Sequence, residues 1–176
     1  MKLILIMVVS LDGKTTRGDE SKVYRWTSKE DQTHFFATLK KGTAFIMGKK
    51  TFKAAESIIC PSHKKYFAVL VPNPTADGKT SIPGQLEFTN ERPHAILRKI
   101  EKMRHKKAYL LGGEFTNTEF FKMNLVDEIL LTIEPVMFGS GNSIIKRQIP
   151  DVKLVLKKVK RLNKRGTLLL TYKVLK

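Results

Sequence analysis

The chain has 176 residues, 41% of them apolar, and carries 33 lysines and arginines against 16 aspartates and glutamates, for a formal charge of +17. Such a length suits a single domain over residues 1–176 with a sizeable core, and no apolar run approaches the roughly 18 residues a membrane helix needs. The single cysteine, Cys60, excludes an intramolecular disulfide and fits a cytoplasmic setting, and four scattered histidines supply no metal-ligand spacing.

Residues 2–9, KLILIMVV, form an almost unbroken apolar run of strand length, suited to the middle of a sheet covered on both faces. One leading lysine gives the run the look of a secretion signal, but no small-residue cleavage site follows and the turn SLDGK comes at once. Residues 26–42, WTSKEDQTHFFATLKKG, read as a helix. Thr27 or Ser28 offers an N-cap, acids fill the first turn, Phe35, Phe36 and Leu39 give an apolar face, and Lys40, Lys41 and Gly42 close it. TAFIMG is a second buried strand, KKTFKAAESI a short helix, and KYFAVLVPNP a third strand stopped by Pro72 and Pro74. After the loop TADGKTSIPG, Pro93 opens the helix RPHAILRKIEKMRHK. KAYLLGG is a strand, EFTNTEFFKMN a helix and VDEILLTIEPVMFG a longer strand. The loop GSGN then leads to a basic hairpin, and residues 146–176 hold eleven basic residues and one acid, Asp151. Strands alternating with helices and finished by an antiparallel pair imply an α/β sandwich on a mostly parallel sheet.

Parallel sheets bind ligands outside the carboxyl ends of their strands, which directs attention to the turns SLDGK, GKKTF, VPNP and GGEF. At Gly112 and Gly113 no Cβ hinders a ligand, and the following helix points its free N–H groups back at the same place, as a phosphate requires. The pair serves equally as a tight strand-to-helix turn. Gly48, Lys49, Lys50 and Thr51 repeat the arrangement with two cations and a hydroxyl, although solvated surface also accounts for the lysines. Neither a P-loop nor a dinucleotide-binding glycine fingerprint is present. Asp31, in the first turn of its helix and near Trp26, is a candidate for binding or protonating a nitrogen heterocycle. The spacing Ser28-x-x-Asp31 is also a capping box that needs no ligand. His34, one turn later, reads as a partly exposed helix residue. The basic hairpin admits a non-catalytic reading, a nucleic-acid-binding surface, but only Tyr172 there could stack on a base.

In order, VVSLDGK, WTSKEDQTHFF, AFIMGKKTF, YLLGGEF and LVDEILLTIEPVMFGSG resemble the dihydrofolate reductase superfamily across residues 2–145, and within it the reductase domain of riboflavin biosynthesis. The resemblance implies a dihydrofolate reductase-like three-layer sandwich, NADPH as hydride donor, and a pyrimidine- or pteridine-type substrate such as the ribosylaminouracil of that pathway, or dihydrofolate itself. It makes Asp31 the catalytic carboxylate and Thr132 its support, with Val8, Lys14 and Trp26 beside the substrate. It gives the cofactor Gly48, Lys49, Lys50 and Thr51 on one turn, Gly112, Gly113, Glu114 and Phe115 on another, and Gly13 on the first. It also implies a homodimer. Lys49 departs from the family's arginine and loses bidentate phosphate geometry. LVPNP lacks the usual ribose-phosphate residues, so the choice between NADPH and NADH stays open.

Overall fold

The computed structural model describes every residue except Ser21 and residues 75–79, so part of the loop TADGKTSIPG lies outside the described residues. In chain order the elements are β1 (Lys2–Ser10), α1 (Lys29–Lys41), β2 (Ala44–Gly48), α2 (Lys49–Ala55), β3 (Tyr66–Leu70), β4 (Leu86–Thr89), α3 (Pro93–Lys102), β5 (Lys107–Leu110), α4 (Glu114–Lys122), β6 (Glu128–Glu134), β7 (Leu154–Arg161) and β8 (Leu168–Val174). Short 3-10 turns occupy Val23–Arg25 and Glu56–Ile58.

The eight strands make one sheet in the order β4-β3-β2-β5-β1-β6-β8-β7. The first six are mutually parallel, while β8 runs antiparallel to β6 and β7 antiparallel to β8. This is a dihydrofolate reductase-like architecture, with antiparallel strands at the C-terminus. The apolar run of β1 lies between β5 and β6, where both faces are covered. Its alternate residues feed two cores. Leu3 and Leu5 join Ile46, Ile96, Ile100 and Phe120 under α3 and α4. Ile4 and Ile6 join Phe45, Phe67 and Val69 on the opposite face, with Phe52 of α2 and with Phe35 and Leu39 of α1. Two helical layers around one sheet follow from that period-two alternation. Among the described residues, no helix is long and apolar enough to cross a membrane.

Two features differ from the sequence reading. Phe36 does not share the apolar face of α1; it is 47% exposed, because the helix turns Phe35 and Leu39 to the sheet. The four-residue β4 is an edge strand the sequence reading leaves unassigned; Leu86 and Phe88 turn inward, and one such pair gives too little alternation to stand out. At the far edge, β7 carries a register shift between Leu156 and Lys158, and Leu154, Leu156 and Val159 are exposed on it.

Because Phe120 is fully buried between α4 and the sheet, Phe120→Ala is expected to cost about 3–5 kcal/mol of stability in urea unfolding, and exposed Phe36→Ala less than about 1 kcal/mol.

Candidate active site

Parallel pairing brings the carboxyl ends of β1, β2, β3, β5 and β6 to one edge of the sheet. The register sets Val8 beside Thr132 and Ser10 beside Glu134. Two glycine turns meet at the same edge, where the Gly48 N–H donates to the Gly112 carbonyl at 2.7 Å.

The glycines there have different reasons for being glycine. A Cβ on Gly48 would stand 2.7 Å from Thr116 Oγ1 of α4, so this position is fixed by how closely α4 approaches. Gly112, reached by a cis peptide to Gly113, sits at φ +92°, and a Cβ there would lie 3.1 Å from Met7 Sδ. Both therefore satisfy the tight-turn reading. Gly113 has an ordinary φ of −77° and is half-exposed, and its Cβ would meet only Thr51 Oγ1, at 3.5 Å. Neither clash nor left-handed backbone requires glycine at that position. Gly113 is also the N-cap of α4, and Gly48 that of α2; neither helix start is capped by a side chain. The bare Gly113 backbone and the N–H groups at the start of α4 fit an anionic group such as a cofactor pyrophosphate.

Of the other residues assigned to a cofactor, Lys49 and Lys50 open α2, with Lys50 exposed, and Thr51 is half-buried against Gly113. Glu114 and Phe115 turn their side chains elsewhere. Glu114 accepts the Ser143 N–H at 3.3 Å and pairs with Lys146 Nζ at 3.5 Å. Lys146 and Arg147 lie over the Phe115 ring at 5.9 and 5.8 Å. These two residues can offer a cofactor their backbone amides, with the side chains committed to residues 143–147.

Asp31 is buried, at 7% exposure. The Ser28 Oγ accepts the Asp31 N–H at 3.2 Å, the first half of a capping box. The second half is made by another residue: the Ser28 N–H donates to Glu134 Oε1 at 2.7 Å. The Asp31 carboxyl interacts instead with the Thr132 hydroxyl of β6. Burial pushes that carboxyl up to about 6, opposed by the Thr132 hydroxyl and reinforced by the nearby charge of Glu134. A buried acid poised there, on the strand ends beside Val8, can hold and release a proton near neutral pH.

Gly13, Lys14 and Trp26 belong to a second group, where the turn after β1 meets the loop after β6. The Lys14 N–H donates to Ser10 Oγ at 2.9 Å, and exposed Gly13 takes φ +77°. Trp26 packs edge-to-face on Phe138 at 5.0 Å, and its buried Nε1 has no hydrogen-bond partner among the described residues. Arg17 lies over the same Phe138 ring at 5.1 Å. The residue that joins the two segments is Asp12, which sequence reasoning passed over. It accepts from Ser10 Oγ at 2.5 Å, from the Gly139 N–H at 2.7 Å and from the Phe138 N–H at 3.2 Å. The Ser10 hydroxyl, against a smaller effect of burial and with help from those amides, holds its carboxyl below the usual range. Glu134 was missed as well, and the local sign of it is an acid before Pro135 at the end of a largely apolar strand.

The chain and its fold have known counterparts. The family model of the RibD C-terminal domain matches residues 1–168, and the chain belongs to that family. The uncharacterized protein YwjB of Bacillus subtilis is 24% identical over 166 residues, covering 91% of each chain. A putative riboflavin biosynthesis protein from Shewanella superposes with a TM-score of 0.77 at 20% identity over the full length of both chains. A dihydrofolate reductase from Enterococcus faecalis, complexed with NADP(H), superposes at 0.64 with 17% identity, covering 98% of this chain and 96% of its own.

The Asp31 carboxyl has a stability consequence whose sign is fixed. Its folded value of about 6 lies above the ordinary 3.8, so ionising it costs the fold stability, fully above about pH 6 and not at all below about pH 4. Asp31→Asn is therefore expected to raise stability by about 1–3 kcal/mol at pH 8 and to change it little at pH 4, as read by urea unfolding at both pH values.

Proposed function

We propose that this protein is an NADPH-dependent reductase acting on a pyrimidine- or pteridine-type heterocycle, in the manner of the reductase domains of riboflavin biosynthesis. The observation that carries this reading is Gly113, a glycine that neither a clash nor a left-handed backbone requires, capping a helix start that no side chain closes. A ligand's approach supplies the missing reason. Gly112, Gly113 and the amides of Glu114 and Phe115 would hold the pyrophosphate, and residues 48–51 the adenosine phosphate. When bound, the nicotinamide supplies hydride. The chain's own residues supply orientation and a proton. Asp31, held by Thr132 beside Val8, retains a proton at its carboxyl oxygen and can deliver it to a substrate nitrogen or oxygen as charge develops there. Trp26 and Lys14 border the substrate side.

The Asp31–Thr132 pair equally suits dihydrofolate, and direct assay with that substrate separates the two reductases. The exposed apolar residues of β7 support a homodimer, and the setting is proposed to be cytoplasmic. A second class of function rests on Lys157, Lys158, Lys160 and Arg161, all exposed on β7, which would bind nucleic acid through phosphates.

Titration with NADPH and NADH, followed by nicotinamide fluorescence at low and high salt, is expected to give tighter binding of NADPH. Gly113→Ala should weaken it about tenfold or more, yet cost far less stability than Gly48→Ala. Failure of both nucleotides to bind, with salt-sensitive retention of RNA, would overturn the reductase reading in favour of the nucleic-acid one. Once a substrate is found, Asp31→Asn is expected to lower turnover about 100-fold or more while leaving NADPH affinity nearly unchanged; an unaltered rate would confine Asp31 to its helix.

A further inference from the structure

An N-cap serine followed three residues later by an acid ordinarily closes on itself, with the acid's carboxylate accepting the serine N–H. Here the Ser28 N–H is 2.7 Å from Glu134 Oε1, on a strand in the adjoining layer. Glu134 is 3% exposed, and its other oxygen accepts the Thr167 hydroxyl at 2.6 Å. Thr167 in turn accepts from Asn163 Nδ2, in the turn between β7 and β8, at 2.9 Å. Glu134 thus has a donor on each oxygen and is built into the framework. Thr132 and Glu134, two residues apart on one face of β6, grip Asp31 and Ser28, which are the N3 and N-cap positions of a single helical turn.

We propose that Glu134 is a positioning residue for Asp31: by taking the Ser28 N–H, it frees the Asp31 carboxyl from the helix cap and leaves it facing the strand ends beside Thr132. The functional half of this inference rests on the reading of Asp31 as the group that meets substrate; the structural half does not. Without Glu134, the nearest acceptor for the Ser28 N–H is the carboxylate that the capping-box spacing already provides. Asp31 would turn back to the helix and leave Thr132. The charge of Glu134 works in the same direction as its geometry, since a second anion nearby favours the protonated acid.

The other charged groups around this turn act elsewhere. Lys29 and Glu30 are exposed on α1, and Glu30 is bonded to Asn163 at 3.1 Å. His34, one turn further on, is held below its usual value by burial and by Lys160 of β7. Arg17, from the segment after β1, lies on Phe138. Among the described residues, Glu134 is the one whose charge acts on the Asp31 carboxyl.

The test is a carbon-detected NMR titration of the Asp31 carboxyl in the wild type and in Glu134→Ala, without substrate. The wild-type midpoint is expected near 6, and in Glu134→Ala it should fall clearly below that, as the carboxylate gains the Ser28 N–H and loses its anionic neighbour while burial still holds it up. In turnover, Glu134→Ala should lower the rate about tenfold or more with NADPH affinity unchanged, and its pH midpoint should move with the NMR value. A wild-type midpoint in the ordinary carboxylate range overturns the proposal. So does an unmoved midpoint in Glu134→Ala, even if stability or rate falls, since that is what a merely structural residue would give. Should Glu134→Ala not fold, Glu134→Gln, whose amide oxygen still accepts the Ser28 N–H, is read by the same titration: its midpoint should stay well above 3.8, and a fall to 3.8 overturns the proposal. The titration needs no enzyme activity, so a protein that reduces nothing leaves this test standing.

Discussion

The hydrogen bond from the Gly48 amide to the Gly112 carbonyl, 2.7 Å long, holds together the end of the sheet on which everything else depends. It pins the turn after β2 to the turn after β5 and fixes how near α4 may come, until Thr116 occupies the space a side chain on Gly48 would need. With that spacing set, the start of α4 faces outward from the strand ends. On the other side of β1, the parallel register with β6 carries Val8 to Thr132. The glycine turns and the Asp31 carboxyl are therefore held on either flank of one central strand, most of whose side chains lie in the two cores. Rigid strands aim the site, and glycine backbone gives it access.

The two buried carboxyls of this end illustrate how environment separates chemically similar groups. Glu134 has a hydrogen-bond donor on each oxygen and serves as framework. Asp31, a short distance along the same contact between α1 and β6, has the Thr132 hydroxyl and little else, and burial raises its proton affinity. The acid with a donor on each oxygen is fixed in place, and the one buried with fewer partners keeps its proton toward neutral pH. The fold bears the cost of the first because the second, with the Ser28 hydroxyl, still secures the helix start.

Much of the fold was legible in the sequence because its signals are local. The apolar runs of β1, β2 and β5, the Ser28 cap, Pro93 at the start of α3 and the alternation of β7 and β8 each lie within a few residues of what they specify. The turns at residues 48–51 and 112–113 were likewise found by looking at strand ends. The unread features depend on distant partners. Asp12 binds amides 126 and 127 residues away, and Glu134 binds one 106 residues away, so neither has a pattern to match. The pattern Ser28-x-x-Asp31 was visible, but it could not reveal that a strand from the other half of the chain takes half of its cap. Phe36 was placed inside because three apolar residues in a row blur a helical face by about 100° per residue. β4 escaped because four residues make too short a signal.

The far edge of the sheet bears on how copies of this chain can meet. β7 leaves one row of main-chain donors and acceptors unpaired, but its register shift at Leu156 and Lys158 and its run of lysines make a poor template for another strand. Two sheets will not fuse there into one. Contact at that end has to pass through the side chains of Leu154, Leu156 and Val159, against the mutual repulsion of surfaces carrying a formal +17 each. Dissolved ions shorten the reach of that repulsion to about 8 Å at physiological strength. Any self-association of this protein would thereby be governed by the ionic medium as much as by its own concentration.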